Sequence, residues 1–122
     1  MLSVNIKDLS YSIKDKKILN KINLELEKDK IACILGPSGC GKTTLLKLIA
    51  GLSHVQDGEI YLNNNLVSSN NIHLKTEKRK IGFLFQDYAL FPHQTVKENL
   101  QFAIKNKSTS HTIQEILDVI KL

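Results

Sequence analysis

The sequence predicts an α/β fold in which a core of buried strands and helices is joined to an antiparallel β part, and three observations carry that expectation. Leu2, Val4 and Ile6 alternate with Ser3, Asn5 and Lys7, and Ile22, Leu24 and Leu26 alternate with Asn23, Glu25 and Glu27, the period of half-buried strands. Two continuous apolar runs of strand length, Ile31-Ala32-Cys33-Ile34-Leu35 and Ile81-Gly82-Phe83-Leu84-Phe85, suit strands covered on both faces of a parallel core sheet. Between these runs a glycine-rich segment opens a helical pattern.

The elements follow in order. The two alternating stretches read as antiparallel strands, and the run from Ile31 to Leu35 as the first buried one. Lys42 to Ala50 reads as a helix, rich in Leu45, Leu46, Leu48 and Ile49 and closed by Gly51 where a left-handed cap residue would sit. Gly58-Glu59-Ile60-Tyr61-Leu62 is a strand entering a tight turn at Asn63-Asn64-Asn65, since asparagine tolerates positive φ. Residues 67 to 78 are polar and read as loop. Thr95-Val96-Lys97-Glu98 has the spacing of a capping box, with Val96, Leu100, Ala103 and Ile104 on one helical face. Thr112-Ile113-Gln114-Glu115 repeats the device ahead of Ile116, Leu117 and Ile120. No linker is longer than Asn106 to His111, and nothing marks a repeat or a second complete domain.

Composition narrows the function classes. At 122 residues the chain is one small domain or part of one. No apolar run approaches the roughly 20 residues of a membrane-spanning helix, and the amino terminus lacks the basic and apolar segments of a secretory signal, so a cytosolic location is expected. Cys33 and Cys40 lack metal-site spacing and read as free thiols. The net charge of +5 comes from lysines spread along the chain, which fits a solvated surface, and no nucleic-acid partner is expected.

Gly36-Pro37-Ser38-Gly39-Cys40-Gly41-Lys42-Thr43 fits the phosphate-loop pattern G-x-x-x-x-G-K-[ST] at every fixed position. The glycines let consecutive backbone N–H groups turn inward as an anion cradle, and the helix opening near Lys42 adds the positive end of its dipole. In that frame Lys42 reaches the β- and γ-phosphates of ATP, the Thr43 hydroxyl ligates Mg²⁺, and Thr44 adds an α-phosphate contact.

The segment GPSGCGKTTLLKLIAGL, Gly36 to Leu52, resembles the Walker A region of the ATPases of ATP-binding-cassette (ABC) transporters, and IGFLFQDYALFPHQTVKENL, Ile81 to Leu100, resembles their Q-loop region, above all in bacterial importers. The resemblance implies a phosphate-loop NTPase core of ABC ATPase type, incomplete, divided into an antiparallel β part (1–30), a core with both loops (31–94) and the start of a helical subdomain (95–122). It implies that Gln86 serves catalysis with Lys42 and reaches Mg²⁺ with Thr43. It places Tyr88, Phe91, Pro92 and His93 at a groove for a membrane permease, and implies a homodimer of ATPase subunits on the cytoplasmic face of the membrane. The family's adenine-stacking aromatic falls at Ile13, with Tyr11 two residues earlier as a substitute if both share one strand face.

The chain thus looks like the amino-terminal part of an importer ATPase, because no LSGGQ-type signature, Asp-Glu strand end or switch histidine appears before Leu122. Hydrolysis by these residues alone is not expected. His54, His73, His93 and His111 read as surface residues in turns and loops. The importer resemblance extends loosely to transporters of molybdate, sulfate and related anions, with polyamine or sugar importers close behind. Competing readings are a truncated nucleotide-binding remnant without turnover, a non-transport ABC ATPase acting on nucleic acid or ribosomes, and a nucleotide kinase. The kinase reading would need lid arginines, whereas Arg79 is the sole arginine in the sequence.

Overall fold

A computed structural model describes residues 1–102 and 110–120. The element order is β1 (Leu2–Ile13), β2 (Lys16–Glu27), α1 (Lys42–Ala50), β3 (Asp57–Leu62), β4 (Asn65–Ser68), a 3₁₀ turn at Thr76–Lys78, α2 (Val96–Phe102) and α3 (Ser110–Val119). The chain forms two compact units, Met1–Phe83 and Leu84–Leu122.

In the first unit the four strands make one antiparallel sheet of order β2-β1-β3-β4. The expected alternation holds along β2 from Ile22 to Glu27, but in β1 the buried residues Ile6 and Leu9 lie three apart. The register slips between them, with Asp8 at φ 47°, and slips again between Leu9 and Tyr11, where Lys21 on β2 takes φ 46°. A bulge leaves backbone donors without ladder partners. Asn23 Oδ1 accepts the Asp8 N–H at 3.0 Å, and Ser10 Oγ accepts the Lys21 N–H at 2.9 Å. Polar residues outside the hydrophobic pattern therefore preserve the hydrogen bonding where the pleat breaks.

The asparagine turn behaves as its composition predicts: Asn63 and Asn64 take φ 48° and 63°, and Asn65 opens β4. Positive φ at both central residues gives the turn the hand that matches strand twist. Leu45 and Leu48 of α1 share one core cluster with Ile6, Leu9, Leu19, Ile60, Leu62 and Val67 of the sheet, so α1 is clamped to the sheet by its apolar face. Its end comes where expected, with Gly51 at φ 80° donating its N–H to the Leu48 carbonyl.

Three expectations need correction. The two apolar runs are not strands: 31–35 and 81–85 lie outside every ladder, and Ile31 and Leu35 are 99% and 86% exposed. An apolar run reports which residues gain by burial, while a strand also needs neighbours to pair its backbone groups. Among the described residues the sheet is antiparallel throughout and offers these runs no place. Second, part of the 67–78 segment is ordered structure, because β4 continues through Ser68, which bridges to His73.

The third correction concerns the helices of the second unit. The first capping box is present: Glu98 accepts the Thr95 N–H at 2.7 Å and Thr95 Oγ1 accepts the Glu98 N–H at 3.2 Å. Val96, however, is exposed, and Ala103, Ile104 and most of the 106–111 linker lie outside the described residues. The final helix begins at Ser110, so Thr112 lies inside its first turn rather than at its cap, and His111 is helical.

Candidate nucleotide-binding site

The loop from Gly36 to Gly41 turns at Ser38 and Gly39, where the Cys40 N–H reaches the Pro37 carbonyl at 3.3 Å, and passes directly into α1. Gly41 is the residue before the helix, at φ 105°. A Cβ there would stand 3.0 Å from Ile18 Cγ2 and Leu19 Cδ2, so neither the dihedral nor the space admits a side chain. That contact seats the loop on the end of the β1–β2 hairpin. A Cβ on Gly36 would similarly stand 2.6 Å from Cys40 Sγ.

Lys42 folds back over the loop, its Nζ donating to the carbonyls of Gly36 and Pro37 at 2.7 Å each and reaching Cys40 Sγ at 3.5 Å. The first N–H groups of a helix have no intrahelical acceptors. Here no side chain caps them and no acidic residue lies in the first turn, so neither a carboxylate nor a hydroxyl competes for an anion. Thr43 is exposed at this end, Thr44 is half-buried, and Ser38, Gly39 and Cys40 are exposed. Glycine curvature, a lysine at the mouth and an unopposed helix amino terminus together suit a phosphate chain and its counter-ion.

The hairpin end settles where the two adenine candidates lie. Tyr11 is partly buried against the core cluster and pairs with Leu19, while Ile13 is 50% exposed and pairs with Lys16. The register shift after Tyr11 falls on the partner strand, where Ile18 is the extra residue, so it is burial that separates the two candidates. Tyr11 thus packs against the core, and Ile13 is the exposed residue of the pair.

The family model for the ABC transporter matches residues 19–122. The chain belongs to that family. It is 40% identical over 124 residues, 98% of its length, to the spermidine/putrescine import ATP-binding protein PotA of Thermotoga maritima, and spans about a third of that relative (33%). Among solved structures it resembles the dimeric, post-hydrolysis state of the ATP-binding cassette MJ0796 bound to ADP and Pi, at 28% identity and a TM-score of 0.70 over 92% of this chain and 53% of that one. A second dimeric structure of MJ0796, a bacterial ABC transporter cassette, gives 26% identity and a TM-score of 0.69, again over 92% and 53%. The fold class is thus an ABC cassette, of which this α/β chain is a part.

Beyond the cradle the cassette holds a residue that sequence reasoning passed over. Arg79 is 4% exposed and donates five hydrogen bonds: Nε to Leu74 O (2.7 Å), Nη1 to Leu48 O (3.3 Å) and Ile49 O (3.0 Å), Nη2 to Val67 O (3.2 Å) and Ser68 Oγ (2.7 Å). It closes the carboxyl end of α1, whose amino end is the cradle, and ties it to β4. Burial lowers the pKa of its guanidinium below the ordinary arginine value. Its being the sole arginine was the available signal, but nothing local in the sequence says that its partners are carbonyls 5 to 31 residues away.

Beside it the rings of His54 and His73 stack at 3.8 Å, and His73 Nδ1 is buried with no hydrogen-bond partner, so His73 is not the simple surface residue expected. Burial first, then the charges of His54 and Arg79, lower its pKa from 6.5, against a backbone hydrogen bond to Gly51.

In the second unit Gln86 is exposed, at the start of the turn 86–89. Phe91 is half-buried and packs edge-on against Phe102 at 4.7 Å and His93 at 6.0 Å, while Tyr88 stands in solvent and Pro92 and His93 are also exposed. The exposed free thiols Cys33 and Cys40 agree with the sequence reading. No group of three or more His, Cys, Asp or Glu among the described residues could hold a metal, and no described helix is long and apolar enough to cross a membrane.

Proposed function

We propose that the chain is the nucleotide-binding part of an ABC ATPase subunit that couples ATP binding and hydrolysis to solute import through a membrane permease. The observation that carries the proposal is the cradle: a phosphate loop seated on the hairpin, Lys42 held across its mouth, and a helix amino terminus with neither cap nor acid. Lys42 exchanges its two loop carbonyls for β- and γ-phosphate oxygens, where its charge opposes the charge that builds up in phosphoryl transfer. The N–H groups of the 36–41 loop and of α1 line the phosphate chain, with Thr44 at the α-phosphate. Ile13 lies against the base. The Thr43 hydroxyl and Gln86 would hold Mg²⁺, which would supply positive charge against the phosphates. Gln86 orients the attacking water and passes the state of the site to the segment from Tyr88 to His93, which faces the permease.

The catalytic base is not among these residues, so turnover belongs to the full-length subunit, acting as a homodimer at the cytoplasmic face of the membrane. The dimeric MJ0796 cassettes support that arrangement. None of the residues assigned to the nucleotide site recognises the transported solute. The name of the Thermotoga relative moves polyamines ahead of molybdate- or sulfate-like anions as the first class to test.

The deciding experiment is calorimetric titration of Mg-ATP into the full-length protein and its Lys42→Ala variant. Losing two or so charge-assisted hydrogen bonds should weaken binding by about tenfold or more. Equal affinities, or no binding by the wild type at millimolar ATP, would refute the reading.

A further inference from the structure

Asn99, half-buried in α2, commits its carboxamide to the segment that follows Gln86. Its Oδ1 accepts the Phe91 N–H at 2.9 Å, and its Nδ2 donates to the carbonyls of Phe91 (3.2 Å), Gln94 (3.3 Å) and Thr95 (2.9 Å). Upstream of this clamp the backbone is bent against its own preference. Tyr88 and Ala89 take φ 63° and 50°, a left-handed conformation that a side chain disfavours and that persists only where the surroundings impose it. One end of the bend is closed by the Tyr88 N–H on the Phe85 carbonyl at 3.0 Å; the other runs into the Asn99 clamp two residues on, at Phe91. Between the two, Tyr88 and Leu90 are each 68% exposed.

We propose that Asn99 is a positioning residue for coupling: it holds the Tyr88–Leu90 arch in one shape, so that the segment after Gln86 meets the permease preformed. The proposal rests on the reading that this segment faces the permease. An amide is required, because one side chain must both accept from the Phe91 N–H and donate to three carbonyls. Aspartate accepts but cannot donate, and alanine does neither. Preorganisation matters because a loop ordered only on contact must lose its freedom at that moment, which weakens the contact.

The test uses the full-length protein reconstituted with its membrane subunits in proteoliposomes. Asn99→Ala and Asn99→Asp should keep the ATP Kd of the free subunit within about twofold while permease stimulation of ATPase activity falls about tenfold, the scale of losing a few net hydrogen bonds. Asn99→Gln has the same chemistry but the wrong reach, and is the milder variant with the same expected direction should alanine unfold the protein. Thr95→Ala separates positioning from helix stability: it deletes the cap bond to the Glu98 N–H and spares the Asn99 bonds, so stimulation should persist. Full stimulation of the Asn99 variants, or an equal loss in Thr95→Ala, overturns the proposal while leaving the ATPase reading intact. A wild type that neither binds ATP nor responds to the membrane subunits overturns both.

Discussion

Replacing Arg79 tests whether a single buried cation fastens the carboxyl end of the phosphate-loop helix. Of its five acceptors, Leu48 O and Val67 O keep backbone partners, the N–H groups of Gly51 (3.2 Å) and Leu74 (2.8 Å). Leu74 O, Ile49 O and Ser68 Oγ lose the bonds Arg79 supplies. At about 1–3 kcal/mol for each buried group left unsatisfied, the gross loss is about 3–9 kcal/mol, partly offset because the guanidinium no longer has to be desolvated. Arg79→Met in the full-length protein is expected to lose about 3–5 kcal/mol of stability. Arg79→Lys should recover little, because a point charge with a different reach cannot serve carbonyls on α1, the 69–75 loop and β4 together. The assay is equilibrium urea unfolding followed by circular dichroism at constant ionic strength and without nucleotide. A lysine variant within about 1 kcal/mol of wild type would mean that charge, not the fan of hydrogen bonds, is what matters, and the reasoning would fail.

Two further outcomes are expected. His73 has a lowered folded-state pKa, so the unfolded chain takes up its proton first as pH falls. Its contribution to stability should be fully present above pH 6.5 and be lost as pH drops through the depressed folded value, and His73→Phe, which keeps a ring against His54, should flatten that part of a stability–pH profile. Ile13→Tyr puts an aromatic on the exposed hairpin position, and stacking on a base contributes about 1–3 kcal/mol, so the ATP Kd measured by titration should fall by about 5- to 150-fold; an unchanged Kd would remove Ile13 from the base site.

What was legible in the sequence was local. The helix from Lys42 to Ala50, its Gly51 cap, the asparagine turn and the Thr95–Glu98 box each depend on interactions among residues a few positions apart, and the structure has all four. The glycine-rich turn from Gly36 to Gly41 belongs with them, because its shape depends on the glycines within it. Longer-range features went differently. Ile31–Leu35 and Ile81–Phe85 had the composition of core strands and lie in no strand ladder among the described residues, since ladder pairing depends on what lies alongside and not on the run itself. Tyr11 packs against the core cluster while Ile13 is 50% exposed, a difference in burial that two-residue periodicity could not foresee.

The sequence by itself determined the glycine-rich turn before Lys42, the helix it opens and the family, because backbone preference and spacing are encoded within short stretches. Only the tertiary structure decided that Tyr11 is core while Ile13 is exposed, that Arg79 and the His54–His73 stack sit at the far end of the phosphate-loop helix, and that Asn99 clamps the segment after Gln86. Each of these rests on which backbone groups and rings a side chain meets once distant segments are packed together, and that partner choice has no signature in a run of neighbouring residues.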